Sequence, residues 1–393
     1  MINAKNNFQK MIDRKIIFNH FFSLIILFPV ILSFVFKITG LPIPSYLFVI
    51  IVLLISLFFI SNNLLTISKS GLKLAFFAFF IWIFYSLSYT PSVFASKQKA
   101  IEILYNTIFP VLLIEVFFLS SKSKTINFKS LETHLLKYSY ILLWFVFFSY
   151  LLFRKADIGG RYTLPGVDNV IWFSRFVGML LLIILCCDKL KKSNYILYFC
   201  SIIIAIFLLF GSGSRGAILS VLIVYLIKQS YLMSKKKIFL LITSIGLFIT
   251  IGFYFIGGYV FETNFYSLYA RLDLFEFFFD YDFQYLKGTG IGSYSLSFFG
   301  EDVVYYPHNI FLELFFENGL IGVFLFCLIL FIFFSSFKYN IICFLVVFYF
   351  IASLASGDLP GNNNLFILLF VSAYANQSTL KTETTPIRYD RSN

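Results

Sequence analysis

The chain has 393 residues, of which 60% are hydrophobic and only 13% charged, with a formal net charge of +12. Soluble domains carry about 25% charged residues, so this composition excludes an ordinary soluble enzyme and points to a polytopic membrane protein. The positive charge calls for no nucleic acid, because Lys and Arg gather in short loops where they set membrane orientation.

In chain order, apolar runs fall at 16–36, 43–61, 72–89, 101–119, 135–153, 170–187, 195–211, 215–233, 238–256, 308–335, 340–356 and 363–376. All but the last, which is shorter, are about long enough to span a bilayer as a helix, and with it the sequence predicts about twelve spans. The first run follows a basic start and is longer than the apolar core of a cleaved signal peptide, which is about 7–15 residues. It therefore reads as a retained span. The tenth run is interrupted at Asn318-Gly319 and reads as beginning with a short surface helix.

Basic residues then orient the spans. Lys5, Lys10, Arg14 and Lys15 precede the first. Lys122, Lys124 and Lys129, then Lys189, Lys191 and Lys192, then Lys235, Lys236 and Lys237 occupy alternate loops, and Lys381, Arg388 and Arg391 follow the last. By the positive-inside rule both termini are cytoplasmic. The long loop at 257–307 then lies outside, and its charges are mostly acidic. Its segment NFYSLYARLDLFEFFFDYDF has mixed helical spacing and predicts helices lying on the outer surface. The expected organisation is nine N-terminal spans within 1–256, the extracytoplasmic loop 257–307, C-terminal spans within 308–376 and a cytoplasmic tail at 377–393, all one membrane domain. The five cysteines form no CxxC pair and the three histidines are scattered, so no metal site is expected.

Ionisable groups at membrane depth are costly and mark candidate sites. On this topology they collect at the outer face. Arg161 lies in the loop DIGGRYTLPGVDN, Arg175 a turn and a half into the sixth span, Arg271 in the long loop, and His308 follows Pro307 at the start of the tenth span. Arg215 stands in GSGSRGA, where one span ends and the next begins. An arginine in the first turn of a helix faces the positive end of the macrodipole. The placement becomes favourable if an anion binds the free N–H groups there. Ser214 or Ser212 can cap that helix, and Gly216 allows close backbone approach. The alternative is an arginine snorkelling to lipid headgroups. Arg175 could instead pair with Asp168, and Arg271 with Asp273. Glu313 and Glu317 lie one helical turn apart, on the face of Asn309. They could serve as acid/base groups or only in capping and bundle hydrogen bonds.

GSGSRGA resembles the serine-arginine-glycine motif of the O-antigen ligase and polymerase family. GTGIGSYS followed by YYPHNIFLELFFENGLIG resembles its second signature, YARLDLF its arginine segment, and RYTLPGVDNVIWFSRF the loop and span that precede them. The similar region covers about 155–335. The resemblance implies a GT-C-like membrane glycosyltransferase at the outer side of the bacterial inner membrane, with no cofactor and no metal. The implied donor is a glycan on undecaprenyl pyrophosphate, and the acceptor a second glycan or a lipid, within membrane lipids. A chain-length regulator is a further partner the resemblance allows. It implies catalytic roles for His308, Arg215 and Arg271. Arg161, Arg175, Ser214, Gly216, Asn309 and Glu313 are expected to bind substrate.

The chemistry fits those residue types. Charge builds on the departing pyrophosphate, and preorganised cations stabilise it. Arginine grips phosphate bidentately and keeps its charge. His308 could deprotonate the attacking hydroxyl or donate to a phosphate oxygen. The resemblance further implies inversion at the anomeric carbon. The expected reaction is repeat-unit polymerisation, with ligation to lipid A–core or transfer to another acceptor as the alternative; that no soluble acceptor-binding domain follows the last span weakens only a protein acceptor. A transporter would instead show internal repeats, charges near the midplane and Gly/Pro-broken helices.

Overall fold

The computed structural model describes residues 70–120, 128–156, 162–163, 169–187, 194–232, 284–355 and 358–377. The spans expected at 16–36, 43–61 and 238–256, and with them the count of twelve, lie outside the described residues, as do Arg161 and Arg271. The described part is helical apart from one antiparallel pair, β1 (Lys155–Ala156) with β2 (Tyr162–Thr163), in which Lys155 pairs with Thr163. Four of its helices are long and apolar enough to cross a membrane: Gly71–Ser88, Leu131–Phe153, Tyr195–Ser212 and Ile310–Ser335. Val170–Cys186 and Ile341–Leu354 are shorter apolar helices.

The chain begins with α1 (Gly71–Tyr85) and a 3-10 turn, Ser86–Ser88. A continuous helical stretch follows, comprising α2 (Phe94–Ile103), a π turn (Leu104–Ile108) and α3 (Phe109–Ser120). Pro110 explains the π turn, since a proline cannot donate the i−4 hydrogen bond of a regular helix. This stretch starts well before the expected 101, because Lys97 and Lys99 are helical rather than in a loop. After α4 (Phe128–Phe153) and the small sheet come α5 (Val170–Cys186), α6 (Tyr195–Ser212) and α7 (Arg215–Leu232). The last part holds α8 (Ser293–Phe299), α9 (Ile310–Ser335), α10 (Ile341–Ala355), a 3-10 turn (Pro360–Asn362) and α11 (Asn363–Gln377).

Aromatic side chains join α1, α9 and α11. Phe79 stacks on Phe366 at 5.5 Å between ring centroids and meets Phe326 at 5.9 Å. Gly178 lets α5, α7 and α10 approach closely. A Cβ there would stand 3.0 Å from the Phe348 ring and 3.3 Å from Val221. Small residues at such crossings bring helices within dispersion contact in lipid, where no hydrophobic effect drives association.

Polar contacts tie the bundle at both ends. At one end Lys73 of α1 makes an ion pair with Glu115 of α3 at 2.8 Å, and Tyr374 of α11 hydrogen-bonds to both. At the same end, by the orientation of the spans, Lys228 of α7 donates to the carbonyls of Leu185 and Cys186 at 3.1 and 2.9 Å. A cation suits the negative end of α5. Lys228 against Leu185 and Cys186, and Val221 against Gly178, show that α5 and α7 run parallel with a constant offset. That offset sets Arg215 level with Trp172, at the opposite end of the bundle.

Helix α9 is broken at Gly319, whose φ of 65° and ψ of −168° are not helical. The expected interruption at Asn318-Gly319 is therefore real, but the first half is not a surface helix: Glu313, Leu314, Phe316, Glu317 and Asn318 are all buried. The freed backbone groups bond to the segment before α8. Thr289 and Gly290 N–H donate to the Phe316 and Glu317 carbonyls at 2.9 and 2.8 Å, and Leu320 and Ile321 N–H to those of Tyr285 and Leu286 at 2.9 and 3.2 Å. Non-helical backbone is tolerated at membrane depth where protein satisfies it in this way.

Candidate functional site

The site is built at the end of the bundle opposite Lys73 and Glu115. Its first part is the junction GSGSRGA. Helix α6 ends at Ser212, Gly213 takes the left-handed conformation at φ 63°, and Arg215 is the first residue of α7. Ser212 does not cap α7, because its hydroxyl donates backward to the Leu209 carbonyl at 2.7 Å. Ser214 is buried next to Arg215, Gly216 is half-buried, and Arg215 itself is exposed. The Gly216 carbonyl accepts from the Ser220 hydroxyl at 2.7 Å.

The second part centres on the C-terminus of α10. Arg175 of α5 is buried and donates to the Ala352 carbonyl at 2.7 Å and to Asn362 Oδ1 at 3.0 Å. Two residues on, the Leu354 carbonyl accepts from Asn309 Nδ2 at 3.0 Å. A guanidinium and an amide thus meet the last carbonyls of one helix, where the macrodipole favours positive charge. This places Arg175 beside the His308-Asn309 segment. Asn309 also caps α9, its Oδ1 accepting from Phe311 and Leu312 N–H at 2.9 and 3.2 Å.

His308 is the only described non-glycine residue in the left-handed region, with φ 57°. That conformation costs about 1–2 kcal/mol and persists only where both flanks are fixed. On one flank is the Asn309 cap. On the other, Tyr306 hydrogen-bonds to Asn169, the cap of α5, and burial raises its phenol above the ordinary value. The imidazole meets the Tyr306 ring edge-on, with centroids 4.8 Å apart.

The third part lies one to two turns into α9. Glu313 and Glu317 both reach Lys99 of α2, at 2.8 and 2.7 Å, and the three residues are 1%, 0% and 0% exposed respectively. The second oxygen of each carboxyl has no partner among the described residues. Asp358, just before the 3-10 turn, lies within electrostatic reach of Lys99, Glu313 and Arg175. The loop after α8 is fastened to α2 by Asp302. One of its oxygens accepts from Ser92 Oγ at 2.6 Å and Ala95 N–H at 3.0 Å, the other from Val93 and Phe94 N–H at 2.9 and 2.8 Å. These bonds hold the Asp302 carboxyl down at about 2.

The structure therefore brings Arg175, His308, Asn309 and Glu313 together and puts Arg215 at the same end on the neighbouring helix. Among the described residues no group of three His, Cys, Asp or Glu side chains could hold a metal ion. Sequence reasoning missed Lys99, Asp302, Asp358 and Asn362. One signal pointed to Lys99: two acids one turn apart on an apolar helix demand a buried cation.

Residues 200–327 match the family model described as O-antigen ligase. This segment, about a third of the chain, is similar to that family. The matched segment runs from within α6 to within α9, so it holds Arg215, His308, Asn309 and Glu313 but leaves Lys99, Arg175 and Asp358 outside. The match and the apolar helices together suit an integral membrane protein. No curated protein matches the chain.

Proposed function

We propose that the protein is a membrane glycosyltransferase that polymerises lipid-linked oligosaccharide repeat units of O-antigen or a related surface polysaccharide. The donor is a glycan on undecaprenyl pyrophosphate, and the enzyme is of GT-C type, its site facing the periplasm from a bacterial inner membrane. The observation that carries the reading is the match to the O-antigen ligase family over 200–327, which takes in both the arginine junction and the histidine turn.

In this reading the exposed Arg215 guanidinium grips the pyrophosphate and offsets the charge that grows on it as the glycosidic bond breaks. Arg271 and Arg161 serve the same anion. Arg175 acts as a fixed positive charge beneath it, since two of its N–H groups are committed to Asn362 and Ala352. His308 either takes the proton of the attacking hydroxyl or donates to a phosphate oxygen. No metal is required where arginines carry the charge.

Ligation of finished glycan to lipid A–core is the second reading, favoured by the family's own description. Transport is disfavoured. Although α9 is broken, its freed carbonyls and amides bond to residues 285–290 and do not line an ion path. A deletion strain separates the two enzymes. Lipopolysaccharide carrying a single repeat unit indicates a polymerase, and lipopolysaccharide carrying none a ligase. Glycan of normal length and yield would overturn both.

A further inference from the structure

Helix α2 lies outside the matched segment, yet it grips the segment around His308 at both ends. Asp302 binds the amides of Val93, Phe94 and Ala95, and Glu313 and Glu317 bind Lys99. Those anchor points are about one helical turn apart along α2, roughly 6 Å. The chain between them, residues 303–312, leaves α2 and returns to it. His308 sits near the middle of this closed loop, in a backbone conformation that needs support from both sides. The side props, Tyr306 on Asn169 and Asn309 on Leu354, belong to α5 and α10 and fix the middle only.

We infer that Lys99 is a positioning residue for His308: it clamps the first half of α9 to α2 and so sets where the imidazole stands. The inference rests on His308 being a site residue, as proposed above. Lys99 is suited to the task because it is fully buried and sits between two carboxylates on one helical face. Without its charge, Glu313 and Glu317 face each other with no cation within hydrogen-bond reach among the described residues. The half-helix must then shift, and His308 shifts with it.

The chain has three histidines, His20, His134 and His308. In a background with His20→Gln and His134→Gln, imidazole labelled with carbon-13 at Cε1 gives one ring resonance, that of His308. The full-length protein in lipid nanodiscs is assayed for that resonance and for turnover of a defined lipid-linked repeat unit. Lys99→Met is expected to move or broaden the signal. It should lower kcat about 10- to 100-fold, as misplacement by an ångström does, with KM for the donor nearly unchanged. Lys99→Arg should restore both. If Lys99→Met does not fold, the neutral triple variant Lys99→Met, Glu313→Gln, Glu317→Gln removes the repulsion but not the need for the clamp. An unchanged His308 signal in whichever variant folds overturns the inference, and a changed one sustains it. His308→Ala is the separate control. Full turnover there overturns His308 as a site residue, whereas lost turnover together with a normal Lys99→Met enzyme overturns only the clamp.

Discussion

Replacing Asp302 with Asn tests the fastening of the outer loop to α2. Each carboxylate oxygen accepts from two donors: Ser92 and Ala95 on one, Val93 and Phe94 on the other. The amide keeps one oxygen and puts an NH2 group in place of the other, so one pair of donors loses its acceptor. The drop from 3.8 to about 2 would equal about 2.5 kcal/mol if taken in full. Asp302 is partly exposed, so solvent screening reduces this to about 1 kcal/mol. The carboxyl lies below its ordinary value in the folded state. Its contribution is therefore complete above pH 3.8 and disappears as pH falls through about 2. Hydrogen exchange reads this directly. At neutral pH the amides of Val93, Phe94 and Ala95 should exchange about fivefold faster in Asp302→Asn, the equivalent of about 1 kcal/mol. The wild-type protein should lose the same protection as the buffer is taken below pH 3.8. Equal exchange rates in the two proteins, or wild-type protection that persists to pH 2, would refute the capping account.

Arg215→Lys should lower turnover more than tenfold with normal membrane insertion, because a point charge cannot make the bidentate phosphate contact; near-normal glycan yield would favour an arginine that only reaches lipid headgroups. Gly319→Ala should destabilise the protein by at least about 2 kcal/mol in thermal unfolding, since φ is 65° and a Cβ would meet the Leu286 carbonyl and the Gly288 nitrogen; an unchanged Tm would mean the break in α9 is not needed. Lys73→Met leaves Glu115 buried without its cation and should cost about 3–5 kcal/mol. Adding Glu115→Gln should recover most of it, and an equal loss in the double variant would show that the pair contributes through packing alone.

Much of the fold was legible because its signals are local. The described spans agree with the apolar runs within a few residues, apart from α2. There Lys97 and Lys99 look like loop residues, because only a partner distant in sequence makes a buried helical lysine such as Lys99 tolerable in lipid. The junction at Arg215 was legible for the same reason, since Gly213 has to end one helix before the next begins. The break at Gly319 announced itself as Asn-Gly within an apolar run. Its depth did not, because that depends on Thr289 and Gly290 meeting the carbonyls of Phe316 and Glu317.

The sequence by itself determined the class of protein, the positions of most helices and the residue types able to meet a pyrophosphate. These follow from hydrophobic length, turn residues and charge placement, which act over a few residues. Only the tertiary structure decided that Arg175 spends its hydrogen bonds on Asn362 and Ala352, and that Lys99 answers Glu313 and Glu317 from 214 and 218 positions away. A buried charge must find its counter-charge wherever helix packing puts one, and packing is a property of the whole bundle.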